Sequence, residues 1–436
     1  MSRFLFATYP SPGHVGPAAA VVEELTGRGH EVRWYTGHRF AEVVAQAGAR
    51  LCVMAEALDW NYEDLDAIFP RRAELKGLKQ NQFDLSELFV RPLRQHLAAL
   101  KALLVEEPAE VFVSHTIFYG GGWLHEMGGP PNATLGDSCL AYPSRDAAPY
   151  GMGLAPRSGF VGHLRNRAFD AIGRATVLAP VAKAAREVRG DLGLPPIPIR
   201  GLEFGLSKYL HIQLCPAGFE YPRSDLPPFV HFVGAPQPPI PTEFDPPSWW
   251  PRLLDSKRVV LVTQGTIATD PANLLAPALE GLAGRDVFVI ATTGGADPAA
   301  LGDPPPNAVV ERFVPYAALL PHVDVMVSNG GFGSVQLAIT HGVPMVVAGT
   351  TEDKKEVTAH VAWSGVGINM RTNCPSPEAV AEAVERVLNE STFRDRTLAL
   401  KAQVGDTNPA KKAADLLEGL AGKAPTEISR ERRANA

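Results

Sequence analysis

Four cysteines in 436 residues, Cys52, Cys139, Cys215 and Cys374, are too few and too scattered for a disulfide framework, and none forms the C-x-x-C pair of a zinc or dithiol site. A reducing cytosol is the compartment this suits. No basic excess exists either: Lys plus Arg number 41 and Asp plus Glu 47, a net charge of −6, which argues against nucleic acid or an anionic membrane surface as the main partner. The amino terminus has only the short apolar run Phe4 to Ala7, well below a signal-peptide core. The longest stretch free of Asp, Glu, Lys and Arg, Val325 to Thr351, is broken by Asn329, five glycines and Pro344, so no stable membrane insertion is expected. Several motifs are missing too. No G-x-G-x-x-G follows the first apolar run and no G-x-x-x-x-G-K-[ST] occurs, which counts against a dehydrogenase or a P-loop ATPase; His125-Glu126 lacks the second histidine of a zinc protease. Asp64-Leu65-Asp66 has the form of a metal-binding D-x-D but sits in an acidic helical stretch and reads as a solvated face. No metal is called for.

What remains is a globular composition, 45% hydrophobic and 20% charged, on a chain long enough for two domains with a cleft between them. Strand Arg3 to Thr8, a loop through Gly13-His14, a helix from Pro17 to Arg28 closed by Gly29 and strand Glu31 to Tyr35 form a βαβ unit. Ligands bind at the carboxyl ends of such strands, where His14 falls. Residues from about 55 to 107 read as helices of mixed polarity, and Val111 to Ser114 resumes the sheet. Residues 140 to 200, rich in Pro, Gly and Ala with intermittent helical periodicity, suit an insertion better than sheet. Six prolines between Gly234 and Pro247 make a stiff linker. A second series follows, with strands at 259–263, 287–292, 308–312, 325–328 and 344–347 and helices near 272–283, 333–340 and 376–388. The expected division is a first Rossmann-like domain over 1–215, the end of that domain and linker over 216–250, a second Rossmann-like domain over 251–412 and a C-terminal tail over 413–436, whose end from Glu427 reads as solvated.

The most specific segment runs Phe313-Val314-Pro315-Tyr316, Ser328-Asn329-Gly330-Gly331-Phe332-Gly333-Ser334 and His341-Gly342-Val343-Pro344. A strand ends in paired glycines and a helix begins, which offers backbone N–H groups and a positive dipole end to an anion such as a diphosphate. Ser334 adds a hydroxyl. A second donor loop, Gln264-Gly265-Thr266, ends the first strand of the same domain.

With these residues the chain resembles the nucleotide-sugar glycosyltransferases of GT-B fold, particularly the bacterial group that glycosylates antibiotics, lipids and other natural products. The similarity extends over nearly the whole chain and includes Gly13-His14, Gly265-Thr266, Val314-Pro315, the glycine segment and Glu352-Asp353-Lys354. It implies an α/β architecture of two parallel-sheet Rossmann-like domains facing across a cleft, with the acceptor in the first and the nucleotide sugar in the second. It further implies an inverting, metal-independent transfer from a UDP or TDP sugar to a hydroxyl of a small, largely apolar acceptor, with no cofactor beyond the donor and a homodimer allowed for. By position, His14 is the general base, a role an imidazole titrating near neutrality suits. Val314 resembles the residue whose backbone reads the base. Gly13, Gly330, Gly331, Gly333 and Ser334 fall on the donor side, and Asp353 and Lys354 stand where the family binds sugar hydroxyls. The aromatic residues Phe83, Phe118, Trp123 and Tyr142 are candidates for the acceptor pocket.

Three positions depart from the family. Asn329 replaces a histidine before the paired glycines, and Leu337 replaces a ribose-binding carboxylate, which weakens any preference for UDP over TDP. His115 stands where the aspartate that orients the base is usual, and Asp137, in Leu135-Gly136-Asp137-Ser138, is the other carboxylate available for that task. These departures motivate one rival, a non-catalytic nucleotide-sugar-binding or auxiliary protein; a second rival, a sugar-nucleotide epimerase or hydrolase of similar fold, would act on the donor with no acceptor present.

Overall fold

A computed structural model describes residues 1–61, 65–237, 244–265 and 270–423. Its first sheet contains β1 (Arg3–Ala7), β2 (Glu31–Thr36), β3 (Arg50–Val53), β4 (Val111–His115), β5 (Asn132–Gly136), β6 (Leu210–Gln213) and β7 (Val230–Phe232), and its second contains β8 (Val259–Thr263), β9 (Phe288–Thr292), β10 (Ala308–Glu311), β11 (Val325–Ser328), β12 (Met345–Val347) and β13 (Gly367–Asn369). The orders are β3-β2-β1-β4-β5-β6-β7 and β10-β9-β8-β11-β12-β13, and every pairing is parallel. In each sheet the order reverses beside the first strand, between β1 and β4 and between β8 and β11. Such a reversal opens a crevice at the carboxyl ends of the strands.

Both faces of both sheets are covered, which is why the strands are apolar on both sides rather than alternating with polar residues. In the first sheet Phe4, Phe6, Trp34, Val113 and Leu135 pack on one side and Leu5, Ala7, Tyr35 and Phe112 on the other. In the second, Leu261, Ile290, Met326 and Met345 face one way and Val260, Val262, Val289 and Val327 the other. Because successive residues of one strand feed opposite cores, the loops after the strands leave from a rigid edge.

Two differences from the sequence reading alter where side chains stand. The first helix begins at Pro12 and runs to Gly27, so His14 lies in its first turn rather than in a loop. Pro12 takes the first helical position, where a missing N–H costs nothing, and Pro17 sits inside the helix. The second concerns the carboxyl end. Helix Ser391–Val404 packs on helix Phe332–His341 of the second lobe, and the chain then returns: helix Pro409–Ala421 lies on the first helix, with Ala413, Ala414, Leu417 and Leu420 buried in the first lobe's core. A tail beginning at 413 would cut that helix, so residues 413–421 are corrected to a packed part of the first lobe. Burial of Leu417 and Leu420 contributes about 1.5–3 kcal/mol each, and Arg28 binds Asp415 and Glu418 beside them. Among the described residues no helix is long and apolar enough to cross a membrane.

Candidate active site

Three segments at the carboxyl edge of the first sheet converge. His14 comes from the helix after β1, His115 ends β4 and Asp137 follows β5. His14 Nδ1 lies 2.6 Å from Asp137 Oδ2, so its N–H is committed to the carboxylate and its basic lone pair is on Nε2, on a side chain 21% exposed. Asp137 is itself buried, with Oδ1 accepting the Thr116 amide N–H at 3.3 Å. Burial alone would raise the Asp137 carboxyl. The opposing charge and hydrogen bond of His14, followed by His115 and Thr116, instead hold it well below the usual carboxylate range.

His115 does not replace the orienting aspartate; it lies behind it. Its ring stacks on that of His14 with centroids 4.0 Å apart, and its Nε2 accepts the backbone N–H of Tyr9 at 3.1 Å. That bond places the ring proton on Nδ1, 3.6 Å from Asp137 Oδ2. Burial, then the neighbouring His14, push the His115 imidazole well below its ordinary range despite Asp137, so it stands neutral. Of the two candidates for the residue that orients His14, His115 and Asp137, the carboxylate of Asp137 has the hydrogen-bond contact.

Across the cleft, helix Phe332–His341 follows β11 through Gly330 and Gly331, and the amides of its first turn have no helical carbonyl behind them to receive their hydrogens. Gly330 has φ +77°, and a Cβ there would stand 2.5 Å from Thr358 Cγ2, so only glycine makes this turn. A Cβ on Gly333 would meet open space. Asn329 is buried and donates to the Gln264 carbonyl, while its Oδ1 accepts from Gly331 N–H at 3.4 Å. It therefore ties the Gly265 loop to the glycine turn. The Ser334 hydroxyl donates to the Gly331 carbonyl at 2.9 Å. Val314 is buried in the second lobe's core, leaving only its backbone available, with Phe313 72% exposed beside it. Thr266 lies outside the described residues, as does Asp64 of the D-x-D.

The lobes meet at Ser138, whose Oγ donates to Asp353 Oδ2 at 2.7 Å and lies 2.8 Å from the Tyr150 hydroxyl. Lys354 is buried and pairs with Glu352. Asp353, at the start of helix Lys354–Ser364, is thus one hydrogen bond from the residue next to Asp137. Burial raises the Asp353 carboxyl, opposed by the Ser138 bond and Lys354.

Compared with known proteins, the chain is 42% identical over 420 residues to 4'-demethylrebeccamycin synthase of Lentzea aerocolonigenes, covering 96% of this chain and 99% of that protein. It is 32% identical over 436 residues to UDP-glycosyltransferase 2 of Phaeomoniella chlamydospora, covering 96% and 95%. The chain belongs to the nucleotide-sugar glycosyltransferases. Residues 277–418 of the transferase match the family model described as Erythromycin biosynthesis protein CIII-like, C-terminal domain. Its fold is that of the calicheamicin glycosyltransferase, with a TM-score of 0.76 at 24% identity over 98% of this chain and 99% of that one. The architecture is therefore GT-B, as the sequence implies.

In the transferase the four aromatic candidates for the acceptor pocket do not gather. Phe118 and Trp123 are 0% and 1% exposed, Phe118 among Tyr9, His96 and Phe112 and Trp123 against Phe204 and beneath Arg189. Tyr142 packs on His211 and Phe229 and donates its hydroxyl to the Ser207 carbonyl. These three are core residues, corrected from the pocket reading, because large apolar rings in the segments that follow strands are drawn under the sheet edge. Phe83 is half-buried and packs on Phe69. Sequence reasoning missed Thr116, Ser138, Tyr150 and Tyr316, whose hydroxyl bonds Thr263 Oγ1 at 2.7 Å and Thr292 Oγ1 at 3.1 Å and so ties β8 to β9 beneath the donor loops. The place of Ser138 beside Asp137 and that of Tyr316 after Val314-Pro315 were the only hints of them. Among the described residues two sets of side chains have the types and spacing of metal ligands: His14, His115 and Asp137, and Cys139, Glu220 and His360. In the first the ring nitrogens already face Asp137 and the Tyr9 amide; in the second His360 Nε2 already faces Glu220 Oε2 at 3.3 Å.

Proposed function

We propose that this transferase moves a sugar from a nucleoside diphosphate donor onto a hydroxyl of a small, largely apolar natural product, with His14 as general base and inversion at the anomeric carbon. The observation that carries the reading is the 2.6 Å contact between His14 Nδ1 and buried Asp137, which leaves Nε2 as the proton acceptor at the cleft. His14 Nε2 takes the acceptor's hydroxyl proton as that oxygen forms its bond to the anomeric carbon. The bond from that carbon to the diphosphate breaks on the opposite face, which inverts the centre. Asp137 stabilises the imidazolium, while the first-turn amides of helix Phe332–His341 and its dipole receive the charge of the leaving diphosphate. Asp353 and Lys354 hold sugar hydroxyls, and Phe313 with the Val314 backbone receives the base. The chemistry needs no cofactor or metal beyond the two substrates. A relative named for making 4'-demethylrebeccamycin and a family model named for erythromycin biosynthesis support the acceptor class. For the donor, a relative's name supports UDP, whereas Leu337 on the donor helix supplies no carboxylate for a ribose hydroxyl and leaves TDP equally acceptable.

The test is nucleoside diphosphate release with UDP- and TDP-glucose and a panel of hydroxylated aromatic acceptors, followed by the anomeric configuration of the product. Acceptor-dependent release and an inverted linkage are expected. Donor binding without turnover would favour a binding protein, and consumption of donor without acceptor would favour an epimerase or hydrolase.

A further inference from the structure

Glu356 stands in the first turn of helix Lys354–Ser364, three residues beyond Asp353, and is buried. Its carboxylate reaches across to the first lobe, where Oε2 accepts the backbone N–H groups of both Gly151 and Gly153 at 2.9 Å. Those glycines belong to the segment that leaves Asp137-Ser138 and leads to helix Gly159–Ala175, the same segment whose Tyr150 hydroxyl touches Ser138. Gly151 and Gly153 have φ of +89° and +63°, and a Cβ on Gly153 would stand 2.7 Å from the Lys355 carbonyl oxygen. The loop is thus pressed onto the start of the donor-side helix, in a conformation suited to glycine. One turn along, His360 Nδ1 donates to the Glu356 carbonyl at 2.9 Å while its ring stacks on Tyr221 at 3.7 Å, which fixes the helix against the chain that crosses between lobes.

We propose that Glu356 is a positioning residue that couples the two substrates: by holding the Gly151–Gly153 backbone, it makes the placement of the acceptor-side loop depend on the donor-side helix. This rests on the reading that the donor sugar sits at Asp353 and the acceptor beside His14. A donor that orders the start of helix Lys354–Ser364 then orders the loop, and the acceptor meets a formed wall. A carboxylate suits the task because one oxygen receives two N–H groups in charge-assisted bonds.

The test uses the full chain and Glu356→Gln, which keeps the shape and one carbonyl oxygen but loses the charge. Uridine and thymidine diphosphate binding is measured by calorimetry, hydrogen exchange of the peptide 146–158 with and without those diphosphates, and acceptor KM at saturating donor. Wild type should show diphosphate-dependent protection of that peptide. Glu356→Gln should keep diphosphate affinity within about twofold, lose the protection and raise acceptor KM about tenfold, the worth of one charge-assisted hydrogen bond. Gly153→Ala perturbs the same contact from the loop side, and the double variant should be no worse than the poorer single one. Protection and acceptor KM unchanged in both single variants would overturn the coupling, as would a fall in kcat alone. Failure of the underlying reading is distinct, since wild type itself would then bind neither diphosphate.

Discussion

Replacing Asp137 by Asn probes the base through a constraint the structure imposes. Oδ2 takes the His14 N–H at 2.6 Å and Oδ1 takes the Thr116 amide N–H at 3.3 Å, so both oxygens act as acceptors. An amide has one acceptor and one donor end. The Thr116 N–H belongs to the backbone and cannot reverse, so the carbonyl end goes to Thr116 and the NH2 end faces His14. The imidazole must then carry its proton on Nε2, which removes the lone pair from the cleft. Loss of the charge-assisted bond contributes about 1.5–3 kcal/mol, a factor of about 10 to 150. Tautomer reversal adds to it; the equivalent substitution in a serine-protease triad lowers kcat about 10⁴-fold. If the amide turned the other way to rescue His14, Thr116 would lose its acceptor, at a cost of about 1–3 kcal/mol. Asp137→Asn should therefore lower kcat by about 10³-fold, and by no less than about 10²-fold, with calorimetric donor affinity nearly unchanged. Initial rates of nucleoside diphosphate release at saturating substrates measure this. A kcat within tenfold of wild type would refute the pairing of His14 with Asp137 as the catalytic arrangement.

Other outcomes follow from the same geometry. His14→Ala should abolish transfer while leaving donor binding intact, and a kcat within tenfold, under about 1.4 kcal/mol, would remove the base assignment. His115→Phe retains a ring against His14 but deprives the Tyr9 N–H of its 3.1 Å acceptor; a loss of about 1–3 kcal/mol in denaturant unfolding, with kcat reduced less than by Asp137→Asn, is expected. Gly330→Ala meets both φ +77° and Thr358, so it should lower stability by over about 1 kcal/mol and weaken diphosphate binding in calorimetry. Stability should also fall in mild acid. Burial lowers His96 from 6.5 to about 3 and His211 from 6.5 to about 4, so below pH 6.5 the unfolded chain binds protons the folded one refuses. Thermal midpoints should drop as pH falls from about 6.5 toward 4, and His96→Phe should flatten that slope; a midpoint indifferent to pH across this window would contradict the buried neutral imidazoles.

The second lobe was legible because its chemistry is written in backbone requirements. Val325 to Ser328, paired glycines and a helix to His341 can hardly be anything but strand, turn and helix, and Gly330 shows why, since its φ and the nearness of Thr358 admit nothing larger. β12 and the capped helix at Ser376 read just as directly, with Ser376 Oγ accepting from the Ala379 N–H at 3.3 Å. Strands β3, β5, β6, β7 and β13 escaped notice because each is short and sequences such as Asn132-Ala-Thr-Leu-Gly carry little β-branched or aromatic signal; they are strands because neighbours pair with them. The returning helix Pro409–Ala421 was hidden for a different reason. Its apolar face is plain in the sequence, but which lobe it covers depends on a chain path no local pattern encodes.

The proposed base and the carboxylate it contacts show the limit most clearly. His14 could be placed by its strand end alone, whereas Asp137 is 123 residues away and is joined to it only through the order β1-β4-β5 at one sheet edge. The place that the resemblance gives to the acid, after β4, holds His115, and the carboxylate that His14 contacts comes from the loop after the next strand over. Such a shift is open to a parallel sheet because all strands end on the same side, so a neighbouring loop can present an acid to the same imidazole. The displaced position then needs a residue that tolerates complete burial against that imidazole, and a neutral ring whose tautomer is pinned by the Tyr9 amide meets this need. The acceptor pocket offers no comparable anchor: Phe118, Trp123 and Tyr142 have size and apolarity, the same properties that draw a side chain into the core, whereas Ser138 and Glu356, polar groups at the cleft, are defined by partners on the opposite lobe.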